Sequence, residues 1–258
     1  MSGNIASTAK STTAATAREV VVVGATSAVA QSAIRLWAAR GATLALVGRN
    51  QDALDRVAAD ARMRGAASAS THAGDLADLV FIESLCATTT PAVALVAHGS
   101  LTDSAHAETS AEYLDYELTL NFVSAAQWMQ RLALAIERAG GGGTVVAISS
   151  VAGDRGRGSN HAYGAAKAGL TAFCSGLRAR MATRGVHVVT AKPGFIDSPM
   201  TAHITKKGAL WATPEAIAEG ILKAIDGQRD VVYLPGFWAL IMLIIKHVPE
   251  RIFKRLKF

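Results

Sequence analysis

The chain has 258 residues, 50% of them hydrophobic and 18% charged. That balance excludes a disordered protein and leaves room for one large α/β domain or two small ones. The net charge of +6 would suit nucleic acid only if basic residues clustered on a binding face. They gather only at the C-terminal end, and no nucleic-acid partner is expected. Two distant cysteines, Cys86 and Cys174, and scattered histidines carry no metal-ligand spacing, so no metal is expected.

Residues 1–18 are rich in Ser, Thr and Ala and lack the apolar segment of a secretory signal. They are expected to form a disordered leader; an organellar transit peptide would carry more arginine. From Glu19 onward, short β-branched runs alternate with stretches of helical period. EVVVVGA, TLALVGR, AVALVAHG, TVVAISS, VHVVTAKPG and DVVYLPG predict strands. Ser27–Arg40, Gln51–Arg64, Leu76–Ala87, Ser110–Arg138, His161–Arg184 and Pro214–Asp226 predict helices. Strands apolar on both faces and separated by helices require a parallel sheet covered on both sides, so the expected fold is a single doubly wound Rossmann-type α/β domain over 19–234. A helical tail, apolar and then basic, follows over 235–258.

The first predicted strand runs into GATSAVA, Gly24 to Ala30. A strand, a tight glycine turn and a helix N-terminus make an anion site from backbone N–H groups and the helix dipole. Gly24 stands at the turn, Ala28 and Ala30 stand where two further glycines would be usual, and Thr26 and Ser27 can cap the helix or meet a phosphate. Alone, this leaves open a nucleotide site and a merely structural turn.

A second set of residues is more specific. Tyr163 and Lys167 lie four apart on one predicted helix and share a face. Ser150 ends a strand thirteen residues before Tyr163, and Asn121 lies on the long helix ahead of it. With these residues in place, the sequence resembles the short-chain dehydrogenase/reductase family from Val20 to about Leu234. Asn121, Ser150, Tyr163 and Lys167 match that family's catalytic tetrad. The resemblance places cofactor contacts at Gly24, Thr26, Ser27, Ala28 and Val29, at Asp75 and Leu76, and at Ala97 and Gly99. Pro193, Gly194, Ile196 and Ser198 would meet the nicotinamide end, as would Tyr163 and Lys167. Val23, Ala28, Ala30, Ala97 and His98 depart from the family pattern, which bears on cofactor packing and leaves the reacting groups intact.

The chemistry implied is ketone reduction. A carbonyl accepting hydride develops negative charge on oxygen and needs a proton and hydrogen bonds. Tyr163 would give the proton, with the Lys167 ammonium expected to lower its pKa. Lys167 would also hold the nicotinamide ribose, Ser150 would bond the substrate oxygen, and Asn121 would hold a water chain that resupplies the proton. An acid after the second strand would bind a ribose 2′-hydroxyl, whereas an arginine suits a 2′-phosphate. Here Arg49 and Asn50 stand at that end, and the expected cofactor is NADP(H); a plain surface role for Arg49 is the alternative.

The tail combines an apolar run, Phe237 to Ile245, with Lys246, Arg251, Lys254, Arg255 and Lys257. The run falls short of the roughly 20 residues of a spanning helix. It fits either an interfacial membrane helix with a basic end or a helix that closes the substrate pocket or a dimer interface. Lys206 and Lys207 are placed either to meet a lipid phosphate or to form a solvated loop. The tail, the glycine turn and the SSxAG segment also resemble the decaprenylphosphoryl-2-keto-ribose reductases. That likeness implies an enzyme at the inner face of the cytoplasmic membrane acting on a lipid or other hydrophobic ketone, such as a polyprenyl-phosphate 2-keto sugar. It also implies a homodimer or homotetramer, built on the two long helices, and a partner flavin oxidase. A non-catalytic nucleotide-binding scaffold is the alternative of a different class, and the intact tetrad argues against it.

Overall fold

The computed structural model describes residues 19–256 apart from His203 and Lys206; the expected leader, Lys206 and Lys257 lie outside the described residues. Seven parallel strands form one sheet in the order β3-β2-β1-β4-β5-β6-β9. They are β1 (Glu19–Val23), β2 (Thr43–Gly48), β3 (Ser68–Ala73), β4 (Pro91–Val96), β5 (Gly143–Ile148), β6 (Val186–Pro193) and β9 (Val231–Leu234). A separate parallel pair, β7 (Phe195–Ile196) and β8 (Trp211–Ala212), lies beyond β6.

Alternation along the strands divides the core into two layers. Val20 and Val22 of β1 and Leu44 and Leu46 of β2 pack with helices α1 (Ala28–Ala39), α2 (Gln51–Met63) and α8 (Pro214–Asp226). Val21, Val23, Ala45 and Val47 face the other way, against α3 (Leu79–Thr88), α6 (Ser124–Arg138) and α7 (His161–Met181). Both layers being covered, β1, β2 and β4 are largely apolar on both faces, as a buried parallel sheet requires.

Three expectations are corrected. SASTHA had no predicted strand, yet all six residues pair with β2 as β3. It is an edge strand with one fully buried residue, Ala69, so polar residues are tolerated and the apolar signal is missing. The helix expected from Leu76 starts at Leu79, because Asp78 caps it by accepting the Val80 N–H at 2.9 Å, while the Leu76 carbonyl accepts the Trp128 indole N–H. The helix expected over Ser110–Arg138 is a rod in three parts: α5 (Ala111–Leu118), a π-helical turn over Thr119–Val123, and α6. The short α4 (Ser104–Thr109) precedes it.

The tail forms α9 (Trp238–His247) and α10 (Glu250–Phe253) and is docked on the domain. Trp238 and Met242 bury themselves against Val151, in the 3-10 turn Val151–Asp154 that follows β5. Arg155 donates to the Ile245 carbonyl at 2.8 Å and to the Lys246 carbonyl at 3.2 Å, at the C-terminal end of α9. It also donates to the Val248 carbonyl, pairs with Glu250 at 2.9 Å and stacks on the Phe253 ring at 3.8 Å. One face of the tail is thus packed on the domain. The other stays open, with Leu240, Leu243 and Ile244 exposed by 63%, 56% and 61%.

Candidate active site

The catalytic candidates meet at the C-terminal ends of β4 and β5. Ser150 follows β5 and opens the 3-10 turn, its hydroxyl accepting the Ala152 N–H at 3.1 Å. That turn lies hard against α7. A Cβ on Gly153 would stand 2.6 Å from the Lys167 carbonyl carbon, and one on Gly164 would stand 3.0 Å from the Ala152 carbonyl oxygen. Only glycines allow the serine-bearing turn and the helix of Tyr163 and Lys167 to approach this closely. The Ser150 hydroxyl thereby reaches the Tyr163 phenol as a hydrogen-bond partner.

Lys167 is buried, and its ammonium donates to the Ile148 carbonyl at 3.2 Å. Burial pulls its pKa from 10.5 down to about 8. The Nζ lies 5.7 Å from the centre of the Tyr163 ring. The expectation that Lys167 lowers the phenol's pKa is reversed in the cofactor-free protein. Burial pushes Tyr163 up to about 12, and the opposing influence is the Ser150 hydrogen bond. The physical reason is shared desolvation: a site that strips water from both groups favours the neutral form of each.

Asn121 is fully buried in the π-helical turn. The widened turn links the Ser124 N–H to the Thr119 carbonyl, five residues back, and the Asn121 amide donates to the Glu117 carbonyl at 3.2 Å. Such single π turns often mark functional positions. Asn121 also donates to the Glu117 carboxylate at 3.1 Å and the Ser100 hydroxyl at 3.1 Å, and accepts the Ser100 N–H at 3.1 Å. Ser100 and Thr102 donate to the same carboxylate at 2.7 and 2.8 Å. Glu117 escaped the sequence reading, although its place four residues before Asn121 on one helix face was a usable signal. Gly99, with φ +148°, brings the β4 turn over this network: a Cβ there would lie 2.7 Å from Asn121 Oδ1 and 3.5 Å from Lys167 Nζ.

The expected cofactor residues form the rim between β1, β2 and β4. Gly24 turns with φ +79°, and a Cβ there would stand 2.6 Å from the His98 backbone nitrogen. Gly24 is therefore required for the β1 turn to pack against the β4 turn, which sets the start of α1 beside it. Ser27 caps α1 by accepting the Ala30 N–H at 3.3 Å, with Ala28 and Val29 in the first turn and Thr26 exposed. Asn50 likewise caps α2, accepting the Ala53 N–H at 2.8 Å, which gives it a structural task beside the expected one. Arg49 is exposed and lines a cavity of about 440 Å³ together with Ala73, Gly74, Asp75 and Tyr116; Leu76 is buried behind it. Tyr116, from α5, is a further residue of this cavity that the sequence did not single out. Ala97 continues the ladder to Val23. His98, which departs from the family pattern, is buried with Nε2 2.9 Å from the Ser124 hydroxyl. Burial, then the Lys167 and Arg49 charges, pushes its pKa down to about 3, so it is neutral in the folded chain.

At the far end, Pro193 closes β6 and Gly194 bonds the Leu234 carbonyl. The Trp238 indole occupies the space where a Gly194 side chain would be, and the Phe195 ring stacks on Trp211 at 5.3 Å and meets Trp238 edge to face at 5.4 Å. Ile196 and Ser198 follow, the Thr201 hydroxyl accepting the Ser198 N–H at 3.2 Å. Lys207 is exposed in its loop and pairs with Asp197, as the solvated-loop reading allows. Beneath these segments, Lys192 pairs with Asp154 at 2.6 Å and the Tyr233 hydroxyl donates to the same carboxylate at 2.6 Å.

A family model described as short chain dehydrogenase matches residues 18–209. Over 247 residues the chain is 36% identical to an uncharacterized oxidoreductase of Mycobacterium tuberculosis, with 93% of this chain and 97% of that protein covered. Its fold is similar to that of a short chain dehydrogenase from Burkholderia cenocepacia in complex with NADP, with a TM-score of 0.76, 18% identity and coverage of 92% of this chain and 95% of the other. It is also similar to actinorhodin polyketide ketoreductase with NADPH, with a TM-score of 0.74, 21% identity and coverage of 85% and 96%. With its sequence matched over most of its length and its tetrad assembled, the chain belongs to the short-chain dehydrogenase family.

Lys167 makes stability depend on pH in a definite direction. Below about pH 8 the folded protein holds a buried ammonium that the unfolded chain hydrates freely, and the penalty fades as pH rises toward the unfolded value of 10.5. Tyr163 acts oppositely above pH 10, where the unfolded phenol ionises first and stability falls. In urea unfolding, the cofactor-free protein should gain about 1–2 kcal/mol relative to Lys167→Met between about pH 7.5 and about pH 9.5. An equal pH response in both proteins would mean that Lys167 is hydrated.

Proposed function

We propose that this protein is an NADPH-dependent reductase that converts a ketone to an alcohol. The observation that carries the reading is the meeting of Ser150, Tyr163 and Lys167 across the Gly153 contact, on the same side of the sheet as the Gly24 turn and an exposed arginine. Gly24, the α1 N-terminus and Arg49 would hold the dinucleotide, with its 2′-phosphate at the cavity that Arg49 and Asp75 line. Two solved proteins of similar fold carry NADP or NADPH in their descriptions, which supports this choice of cofactor. When bound, NADPH supplies the hydride. The chain's own residues do the rest: the Ser150 hydroxyl orients the carbonyl oxygen, and the Tyr163 phenol, protonated at neutral pH, is ready to donate. Lys167 offers a charge that favours phenolate as the proton leaves, and Asn121 with Glu117 and Ser100 forms a polar path behind it.

The substrate reading is an amphipathic ketone taken from a membrane surface. Among the described residues no helix is long and apolar enough to cross a membrane. The open face of α9, with Phe237, Leu240, Leu243 and Ile244, is suited to lie in a headgroup boundary, and Lys246, Arg251, Lys254 and Arg255 follow on exposed positions. Trp238 ties that helix to Gly194, so a molecule held at α9 would sit next to the nicotinamide end. Within this class, the 2-keto sugar of a polyprenyl phosphate is the substrate that the likeness of the tail suggests.

Three measurements test these assignments. Tyr163→Phe should retain NADPH binding and lower ketone turnover by roughly 100-fold or more; near-normal turnover would remove Tyr163 from the proton-donating role. Arg49→Ala should weaken NADPH about 10-fold or more and leave NADH nearly unchanged, measured by fluorescence titration. In flotation with vesicles containing phosphatidylglycerol, wild-type protein should rise at low salt, less at high salt. The variant with Leu240→Asp and Ile244→Asp, whose buried Trp238 and Met242 are intact, should stay at the bottom.

A further inference from the structure

A second cavity, of about 490 Å³, lies beside the catalytic turn, lined by Gly156, Arg157, Gly158, Glu250, Lys254 and Leu256 among others. One wall is the stretch that joins the Ser150 turn to α7, which carries Tyr163 in its first turn; the other is the docked tail. The charges in it are unequal. Glu250 is committed to Arg155. Arg157 has no carboxylate within ion-pairing distance among the described residues, and it makes a weak contact to Met242 Sδ at 3.9 Å. Asp154 acts on it only at longer range, and both oxygens of that carboxylate are taken by Lys192 and Tyr233. Burial lowers the Arg157 pKa from its ordinary value. Lys254 is exposed and likewise lacks a carboxylate partner among the described residues. A half-buried guanidinium with no paired carboxylate is better satisfied when an anion completes it.

We propose that Arg157 and Lys254 form a subsite for a phosphoryl group carried by the non-reacting part of the substrate. A guanidinium fork and a separate ammonium suit a tetrahedral anion with several oxygens, and the exposed Leu256 and Ile252 beside them suit an apolar chain leaving that group. The site lies on the substrate side of the catalytic turn, away from the Arg49 cavity that would hold the cofactor's phosphate. This inference rests on the amphipathic-ketone reading and adds the anion to it.

The test uses the full chain saturated with NADP+, so that the dinucleotide site is filled, and measures binding of farnesyl phosphate and of farnesol by calorimetry. Farnesyl phosphate should bind about tenfold tighter than farnesol. Arg157→Gln and Lys254→Gln should each weaken farnesyl phosphate by roughly three- to tenfold, leave farnesol unchanged and leave NADPH affinity within about twofold; Arg157→Lys should recover part of the loss. If farnesol binds as well as farnesyl phosphate, the phosphoryl subsite is wrong while the lipid reading stands; if neither binds, both fall. If the phosphate preference survives in both Gln variants, the anion is held elsewhere and the subsite is wrong. If the variants lose only binding to phosphatidylglycerol vesicles and keep farnesyl phosphate, the cations read the membrane instead of the substrate, and the proposal is overturned. Weaker binding of both probes, with a changed thermal transition, would mean that Arg157 merely supports the wall, and Arg157→Lys would then show no phosphate-specific recovery.

Discussion

The four-residue turn Val151–Asp154 is the constraint on which the active site depends. Its Gly153 lies against the backbone of Lys167, a contact that any side chain would break. Every neighbouring residue of the turn then holds something else in place. Ser150, just before it, reaches Tyr163. Val151 receives Trp238 and Met242 of the tail. Asp154 joins Lys192 of β6 to Tyr233 of β9, and Arg155 clamps the end of α9. A displacement of this turn would therefore disturb the hydrogen bond to the phenol, the Pro193–Gly194 segment and the tail together. A rigid support of this kind is what a proton donor needs, because catalytic geometry tolerates little error.

Burial sets the electrical state of the site as firmly as packing sets its shape. Burial drives Tyr163, Lys167 and His98 toward their neutral forms; at neutral pH Tyr163 and His98 carry no charge, while Lys167, at about 8, still holds its ammonium. Further charge is at the edges of the site, on Arg49 at one cavity and on Arg157 and Lys254 at the other. A neutral phenol beside one buried ammonium, with further cations where an anion would be held, is an economical arrangement for reducing a carbonyl on an anionic molecule.

Much of this was legible from local pattern. Two-sided apolar strands separated by helices gave the doubly wound sheet, and the four-residue spacing of Tyr163 and Lys167, with Ser150 at a strand end, located the reacting groups. Less accessible were features that depend on partners distant in sequence. SASTHA looks like a loop until β2 supplies its ladder. Asn121 reads as an ordinary helical residue until the π turn directs its amide to Glu117 and Ser100. Arg155 meets α9 ninety residues later, and the ion pair of Lys207 with Asp197 requires a loop geometry that neither residue type specifies. The apolar run of the tail announced a helix but not that it would divide into a docked face and an open one.

The docking of the tail through Arg155 and Trp238 has a practical consequence for handling the protein. Glu250, Lys254 and Leu256 line the cavity beside Arg157, so a bulky label attached to α10 would stand within reach of Arg157 and the open face of α9. The opposite end enters the fold at β1, whose first residue, Glu19, marks the N-terminal edge of the sheet, away from the strand ends that carry Ser150 and Gly194. A label at that edge of the sheet leaves the catalytic side accessible, and activity compared between the two labelled forms would report how closely the docked tail and the chemistry are joined.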